Sequence, residues 1–260
     1  MKPGFSTWTF PWRLRAGATL AELAEFSAAE GAEVFQIADN CNFFMQSEAA
    51  QEQCIDLFRS NGMEVELGIS ELSLSAFDPV LRLCERKGVR LLRVLPHKKG
   101  KKMPIEEGSR LLSSLAPRLR GAGVNVAVEN HDFYKASELA QMVGAAECEK
   151  VGICLDAVNN LGQGEGFSEV VAALGKYALN FHCKDYTIRR KPTGLGFEVS
   201  GCACGDGMLD FATAKQLFGD LSWIVELWTD EGETLAATVR TEEERAKKSM
   251  AFLKKLGGKL

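Results

Sequence analysis

The sequence predicts a single (β/α)₈ barrel, and three observations support this prediction. Apolar runs typical of β-strands alternate eight times with amphipathic helical patterns, and such alternation produces a parallel sheet. The chain has 260 residues, a length that suits eight such units in one domain spanning 1–260. No linker rich in Pro, Gly or Ser divides it. An open, doubly wound sheet is the alternative, but the Gly-x-Gly-x-x-Gly pattern of that fold does not follow the first strand.

The eight predicted strands are short and apolar, and each is followed by a helical pattern. They lie near residues 4–10, 33–38, 64–69, 90–95, 124–130, 151–157, 178–184 and 223–228. Side chains alternate along a strand, so one inward-facing residue identifies the others of the same parity. The carboxyl ends of parallel barrel strands meet at one face, where active sites of this fold lie.

Capping signals mark the ends of several predicted helices. A hydroxyl residue followed by Glu or Gln within one turn is expected to begin the first, second and last helices. These capping residues are Thr19, Ser47 and Thr241. The last helix should end at Gly257. The helix that begins at Pro104 contains Pro117, which is expected to kink or break it.

Composition and charge exclude several classes of function. The formal net charge of −4 argues against nucleic acid as a partner. No apolar stretch approaches the roughly 18 residues of a membrane span, and the first residues do not form a secretory signal. Eight cysteines without regular spacing are expected to be reduced thiols of a cytoplasmic protein. Cys202 and Cys204 form one close pair, for which free loop thiols are favoured over a metal role.

Four of the apolar runs each end on a residue that binds divalent metals. The intervals between these residues are 27, 26 and 44; the first two fit one strand plus one crossover helix. The four residues are Glu129, Asp156, His182 and Glu226. Three converging carboxylates would repel one another without a cation. The oxygen-rich set suits Mn²⁺ or Mg²⁺, with Co²⁺ or Zn²⁺ as alternatives.

Motifs around these strand ends resemble one known group of barrels. They are VENH (128–131), LDAVN (155–159), FHCKD (181–185), GDGMLDF (205–211) and VELW (225–228). In this order they resemble the xylose isomerase-like barrel superfamily, often labelled sugar phosphate isomerases/epimerases. The resemblance covers nearly the whole chain. It implies one catalytic metal held by the four residues above, which would polarise sugar oxygens and stabilise an enediolate.

The resemblance and the strand parity assign roles to further residues. Glu129 and Glu226 could also move protons between neighbouring carbons. His131 and Lys184 share inward parity with metal-binding residues and are expected to touch the substrate, with His131 a candidate for proton transfer. The remaining candidates for substrate binding, or for orienting groups that bind it, are Asp185, Arg189 and Asn159. Asn159 occupies a position where ketose 3-epimerases of the superfamily usually carry histidine, which weakens assignment to that activity.

Polar and aromatic residues of other strands extend the expected pocket. Glu66 and Arg93 interrupt apolar strands, and two interpretations remain open: they pair with each other, or they line the pocket beneath the substrate. Trp8, Trp12 and Trp228 lie at strands one and eight, which are neighbours in a closed barrel. They predict an apolar wall for the C–H face of a sugar, with core packing as the alternative.

Two loop features are expected on the active face. The glycine-rich segment 186–207 should form a mobile lid or a hairpin, and Asp210 should cap the helix that follows it. The basic runs 97–102 and 189–191 could attract an anionic substrate such as a sugar acid or sugar phosphate. Ordinary solvated side chains are the alternative for both runs.

The preferred function is a metal-dependent isomerase or epimerase of a small keto sugar, sugar acid or sugar phosphate. The alternative is a lyase that uses the same site to remove CO₂ or water from a keto acid, an inosose or a 3-keto sugar. A DNA-repair endonuclease is disfavoured by three histidines and negative charge, and a non-catalytic sugar-binding barrel would lack the metal. The only partner expected is a small carbohydrate, with a homo-oligomer left open.

Overall fold

Eight parallel strands form a closed barrel in the structure, a computed structural model that describes residues 1–258. The strands are β1 (Lys2–Ser6), β2 (Val34–Ile37), β3 (Glu64–Ile69), β4 (Leu91–Val94), β5 (Asn125–Glu129), β6 (Val151–Asp156), β7 (Ala178–Cys183) and β8 (Ser222–Val225). Each strand pairs with its neighbours in chain order, and β8 closes the barrel against β1. The predicted fold is therefore confirmed.

Helices surround the barrel and cover the outward face of its strands. They are α1 (Pro11–Arg15), α2 (Leu20–Ala29), α3 (Glu48–Ser60), α4 (Leu74–Lys87), α5 (Ile105–Ala122), α6 (Ala136–Gly144), α7 (Phe167–Leu174), α8 (Phe211–Phe218) and α9 (Leu235–Leu256). Outward side chains form the apolar core with these helices: Phe35 of β2 stacks on Phe58 of α3 with ring centroids 4.3 Å apart. Inward side chains are largely polar and form the centre described below.

Two strands, β1 and β8, end three or more residues earlier than expected. β1 ends at Ser6, whose hydroxyl caps a single 3₁₀ turn over Thr7–Thr9. This turn holds Trp8 at the rim of the barrel rather than inside a strand. β8 ends at Val225, so Glu226 follows the strand directly while its amide still donates to the carbonyl of Cys183 in β7.

Helix starts agree with the capping signals except in the last helix. Thr19 and Glu22 form the expected capping box of α2, and Ser47 caps α3. The predicted start at Thr241 is wrong: α9 begins at Leu235, capped by Thr234. Glu242 lies about seven residues into this helix. Its carboxylate accepts hydrogen bonds from the amides of Trp12 and Arg13 in α1 at 3.0 Å each.

A break of the helix at Pro117, one of the two outcomes expected there, does not occur. α5 runs without interruption over 18 residues from Ile105 to Ala122. A proline removes one helical hydrogen bond and crowds the preceding turn, but the buried face of α5 on either side of Pro117 holds the helix against its neighbours. Leu115 and Leu119 on that face are almost completely buried, and tertiary packing of this kind overrides a local penalty.

Two antiparallel hairpins extend from the carboxyl ends of strands. The longer one pairs Asp185–Arg190 with Phe197–Cys202, which confirms the hairpin form of the predicted loop. The shorter one pairs His97–Lys98 with Lys101–Lys102. All eight cysteines are free thiols. No helix within residues 1–258 has both the length and the apolar character needed to cross a membrane.

Candidate metal centre

The four predicted metal-binding side chains meet inside the carboxyl end of the barrel. Each is at least 96% buried, and one donor atom from each lies within 4.8 Å of the others. Parallel pairing explains the convergence, because Asp156 of β6 lies level with His182 of β7, and Ile224 of β8 lies level with the same histidine. The set is Glu129, Asp156, His182 and Glu226.

The imidazole of His182 shows that these residues fit a cation. Its Nδ1 lies 3.3 Å from Oε1 of Glu226 and 3.5 Å from Oε1 of Glu129, yet it has no hydrogen-bond partner within residues 1–258. A buried nitrogen without a partner is costly. A divalent cation between Nδ1 and the carboxylate oxygens would satisfy the nitrogen and balance the negative charge. The four residues are therefore consistent with a divalent metal site.

Cys154 offers a second donor combination with Glu129 and His182. Burial raises the pKa of the Cys154 thiol to about 12, and a sulfur ligand suits softer metals than Mn²⁺ or Mg²⁺, which prefer carboxylate oxygens. The set with three carboxylates and one imidazole therefore describes the site better, as the sequence predicts.

Two basic side chains balance part of the negative charge. Arg93 of β4 forms a buried ion pair with Glu129 through Nε and Nη2. Lys184, which follows β7, places Nζ 2.8 Å from Oδ2 of Asp156 and 2.9 Å from Oε2 of Glu226. The cluster around the candidate metal site thus holds three carboxylates together with two permanent cations.

The charges of this cluster reinforce one another. Burial opposes ionisation of both glutamates, but Arg93 and His182 hold the pKa of Glu129 below its ordinary value. His182 and Lys184 do the same for Glu226. Burial alone would lower the pKa of Lys184, yet Asp156 and Glu226 raise it above the ordinary value. Both glutamates are therefore ionised and Lys184 is protonated across the physiological range.

Asn159 connects Glu129 on one side to Lys184 and Asp156 on the other. Its Nδ2 donates to Oε1 of Glu129 at 3.1 Å, and its Oδ1 accepts from Nζ of Lys184 at 3.1 Å. The backbone amide of Asn159 also donates to Oδ1 of Asp156 at 2.8 Å. An asparagine can give and accept at once, which explains why this residue fits between an anion and a cation.

A cavity of about 540 Å³ opens directly above the metal-binding carboxylates. Arg93, Lys184 and Asn159 lie at its floor, and His131 lines its side. Trp8, Trp12 and Trp228 also line it, so the predicted aromatic wall is present at the mouth. The volume suits a small sugar or sugar acid.

The structure does not bring three other predicted site residues into this cavity. Glu66 lies deeper in the barrel and contacts Gln36, Asn180 and Ser222. Asp185 accepts hydrogen bonds from the amides of the loop that follows the long hairpin, including Gly205 and Gly207. Arg189 lies on the exposed polar face of that hairpin.

The expected pairing of Glu66 with Arg93 is not present. The strand register explains this result, because Arg93 lies level with Gly68 on β3, two residues beyond Glu66. Arg93 therefore reaches upward to Glu129, while Glu66 stays below. The basic run of the short hairpin is also partly neutralised, since Lys98 pairs with Glu107 and Lys102 pairs with Glu138.

Sequence reasoning assigned no role at the metal centre to several polar residues that hold the metal-binding side chains. Ser6 donates to Oε1 of Glu226 at 3.3 Å. Gln36 Oε1 lies 3.1 Å from Nε2 of His182. Asn130 exchanges hydrogen bonds with the backbone of Asp156. Ser6 ends β1 and Gln36 lies one residue from the end of β2, so the same search of strand ends, extended to uncharged side chains, would have found them.

Comparison with known proteins agrees with this geometry. Residues 26–256 match the family described as "Xylose isomerase-like TIM barrel". The chain belongs to this family. The resemblance stated from the motifs is thereby confirmed.

The chain is also similar to individual proteins named for an activity. The chain is 28% identical over 261 aligned residues to a 3-oxo-isoapionate decarboxylase of Pectobacterium atrosepticum, covering 97% of this chain and 95% of that protein. Among solved structures, it resembles a D-psicose 3-epimerase from Clostridium cellulolyticum (14% identity, 99% of each chain, TM-score 0.74). It also resembles a probable 3-DHS dehydratase from Bacillus anthracis (14% identity, 97% and 98% covered, TM-score 0.71).

The chain thus combines membership of the xylose isomerase-like family with a buried donor set that fits a divalent metal. The decarboxylase is a lyase, so the comparisons favour the lyase alternative over the preferred isomerase or epimerase.

Proposed function

We propose that this protein is a divalent-metal-dependent decarboxylase of a small 3-oxo sugar acid. The observation that carries the proposal is the pairing of each candidate base with a cation of its own: Arg93 with Glu129, and Lys184 with Glu226. Epimerisation needs a base strong enough to remove a proton from carbon. A carboxylate stabilised by a buried cation is a weak base, so both glutamates suit metal binding better than proton abstraction.

Decarboxylation of a 3-oxo acid needs no base. The bond between the carboxylate carbon and the carbon next to the ketone breaks, CO₂ leaves, and the electron pair moves into the ketone as an enolate. The carbon that lost CO₂ then takes up one proton. A bound divalent metal would supply Lewis-acid stabilisation of the oxygen on which this charge develops. The similarity to a 3-oxo-isoapionate decarboxylase over nearly the whole chain supports this reaction class.

Lys184 is the proposed proton donor for the product carbon. Its Nζ is protonated, lies between Asp156 and Glu226, and faces the cavity. Asp156 and Glu226 raise the pKa of Lys184 in the metal-free protein, but a cation bound to the same carboxylates would compete for their charge and weaken this effect. The ammonium could then give one proton to the enolate carbon and regain one from water, so the step balances. Arg93 also lies at the cavity floor, and a second fixed cation there favours an anionic substrate over a neutral ketose.

The aromatic wall has a separate part in the proposal. Trp8 and Trp228 line the mouth of the cavity and remain 38% exposed each. An indole ring packs well against the C–H face of a sugar and removes water from it. Exclusion of water strengthens the electrostatic contacts at the floor.

A carboxyl-labelled substrate tests the proposal. The Mn²⁺-loaded protein is incubated with 3-oxo-isoapionate carrying ¹³C in the carboxylate, and in parallel with D-psicose and D-tagatose. The proposal expects metal-dependent ¹³CO₂ release from the acid and no change in the ketoses. Epimerisation of a ketose without CO₂ release from the acid would overturn the proposal in favour of the isomerase alternative.

A further inference from the structure

A chain of buried hydrogen bonds runs from the metal site toward the opposite end of the barrel. Nε2 of His182 lies 3.1 Å from Oε1 of Gln36. Nε2 of the same glutamine donates to Oε2 of Glu66 at 3.0 Å. Oε1 of Glu66 in turn accepts from the hydroxyl of Ser222 at 2.5 Å. Polar groups inside a barrel are costly unless each is satisfied, so this chain needs an explanation.

The donors and acceptors in this series of hydrogen bonds can be assigned consistently from Glu66 back to His182. Oε2 of Glu66 also accepts from Nδ2 of Asn180 at 3.3 Å, so it receives two amide N–H groups. Gln36 must therefore present its NH₂ group to Glu66 and its carbonyl to His182. A carbonyl can only accept, which requires a proton on Nε2 of His182. A neutral imidazole then has its lone pair on Nδ1, the atom that faces the metal-binding carboxylates.

We propose that Glu66 is a positioning residue of the metal centre, which acts through Gln36 to hold His182 in the tautomer that offers Nδ1 to the cation. Glu66 contacts neither the cavity nor any of the four metal-binding side chains. This inference rests on the metal site and is independent of the reaction catalysed there.

The assigned role does not depend on the charge of Glu66. If the carboxylate takes up a proton on Oε1, that oxygen can donate to Ser222, while Oε2 still accepts from Gln36. The side chains of Asn180 and Gln36 are completely buried, so a residue of the same volume without an acceptor at position 66 would leave their amide groups without a partner. Loss of the acceptor would leave the Gln36 amide free to rotate by half a turn and present its NH₂ group to His182. A ring in that environment would carry its proton on Nδ1, where it blocks the metal.

Three variants separate positioning from simple space filling. Glu66→Met keeps the volume of the side chain and removes both acceptors. Glu66→Gln keeps a carbonyl that can accept from Gln36 and can donate to Ser222. Glu64→Met is the matched control on the same strand, because Glu64 is exposed and pairs only with Lys2 among the ion pairs of the described residues. Binding of Mn²⁺ without substrate is measured for each, from the free ion in electron paramagnetic resonance spectra.

The expected result is a Kd for Mn²⁺ that rises about 10- to 100-fold in Glu66→Met and stays near the wild-type value in Glu66→Gln and Glu64→Met. Wild-type affinity in Glu66→Met would overturn the proposal. Equal losses in Glu66→Met and Glu66→Gln would also overturn it, because charge rather than orientation would then be decisive. If Glu66→Met does not fold, Gln36→Met must show the same loss, and wild-type affinity there would contradict the proposal.

Nuclear magnetic resonance provides an independent readout. The protein has three histidines, so ¹⁵N labelling of histidine gives few ring signals. In the Zn²⁺-loaded wild type, one ring is expected to have a protonated Nε2 and a metal-shifted Nδ1. In Glu66→Met at the same Zn²⁺ concentration, a population with protonated Nδ1 and no metal shift is expected. An unchanged His182 ring in this variant would contradict the positioning role even if activity fell.

Discussion

Lys184 has contacts that a purely structural lysine would not need. Its ammonium lies against two metal-binding carboxylates and the Asn159 carbonyl, and the same group faces the cavity. A permanent charge this close to a divalent cation weakens metal binding through repulsion. A lysine that weakens metal binding and yet lies at the centre of the site is best explained by a role in binding or protonating the substrate.

Replacement of this lysine should separate catalysis from metal binding. Lys184→Met is expected to lower kcat for decarboxylation by about 10²- to 10⁴-fold, because the proton donor is removed. The Kd for Mn²⁺ should stay equal or become smaller, because a competing positive charge is lost beside Asp156 and Glu226. Steady-state kinetics and metal titration check both values, with Lys191→Met on the exposed hairpin as control. A kcat within a factor of three of wild type would rule out the proposed role.

The ion pair of Arg93 with Glu129 should dominate the stability of the metal-free protein. Glu129→Gln leaves a buried guanidinium without its partner, and we expect the free energy of unfolding to fall by about 3–5 kcal/mol. The double variant with Arg93→Met should recover part of this loss. Urea unfolding in the presence of a chelator measures the values.

The control for this pair is an exposed one. Arg120 and Glu149 form an ion pair at 3.0 Å, with both side chains about half exposed. Glu149→Gln should change the free energy of unfolding by less than about 1 kcal/mol, because solvent screens the interaction. Equal effects of Glu129→Gln and Glu149→Gln would show that the buried pair contributes no special stability.

The sequence predicts the metal-binding residues well and their partners poorly. Glu129, Asp156 and His182 can be predicted from the sequence. Parallel topology and the alternation of side chains along a strand are enough to bring residues at the strand ends together. The choice of Glu129 over Glu66 as partner of Arg93 depends instead on strand register and side-chain reach. Neither quantity is encoded in the local pattern, so the pairing could only come from the structure.

At the scale of elements, helix starts show the same division between local and tertiary causes. The capping box at Thr19 is local, and α2 begins where it predicts. The similar pattern at Thr241 lies inside α9, which already begins at Leu235, and the Thr241 hydroxyl donates to the carbonyl of Ala237 instead of capping an amide. A capping signal therefore predicts a helix start only where no helix has already begun upstream of it.

The contact of α9 with α1 should make stability depend on pH. Burial raises the pKa of Glu242 from an ordinary value of 4.5 to about 7, against the two amide hydrogen bonds that favour the charged form. The folded protein therefore holds this proton more tightly than the unfolded chain. The contribution to stability is complete below the unfolded pKa and is lost as the pH rises through about 7.

Glu242→Gln should remove this dependence, because glutamine does not titrate. Between about pH 5 and about pH 7.5, the free energy of unfolding of the wild type should fall relative to that of the variant. Urea unfolding of the metal-free proteins at several pH values measures the difference, with Glu244→Gln on the exposed face of α9 as control. A constant difference across this range would contradict a raised pKa at Glu242.

For the whole molecule, closure of the barrel brings charged side chains from separate strand ends into one centre. A cation bound at this centre should therefore stabilise the complete fold. Metal that binds only the folded state at about 100 times its Kd adds about 2.7 kcal/mol to the free energy of unfolding. Mn²⁺ should therefore raise the Tm of the wild type. Asp156→Asn should lose most of the increase, while Asp206→Asn in an exposed loop should keep it. An equal increase in both variants would place the metal elsewhere.

The architecture itself could be predicted almost completely, because alternation of strands and helices leaves few topologies. The reaction could not, because the strand-end motifs fit both the isomerase and the lyase interpretation. The proposed decarboxylase activity rests on the set of cations around Glu129 and Glu226, and that set depends on contacts between residues far apart in the chain.

The fate of protons in D₂O tests the central claim most directly. A 3-oxo sugar acid is converted by the Mn²⁺-loaded protein to partial completion, and the product and the remaining substrate are both analysed by mass spectrometry and proton NMR after metal removal. We predict one deuterium on the product carbon for each CO₂ released, and no enzyme-dependent deuterium in the remaining substrate. Enzyme-dependent deuterium beside the ketone of an intact substrate, without release of CO₂, would show that a glutamate acts as a base and that the enzyme is an isomerase or epimerase.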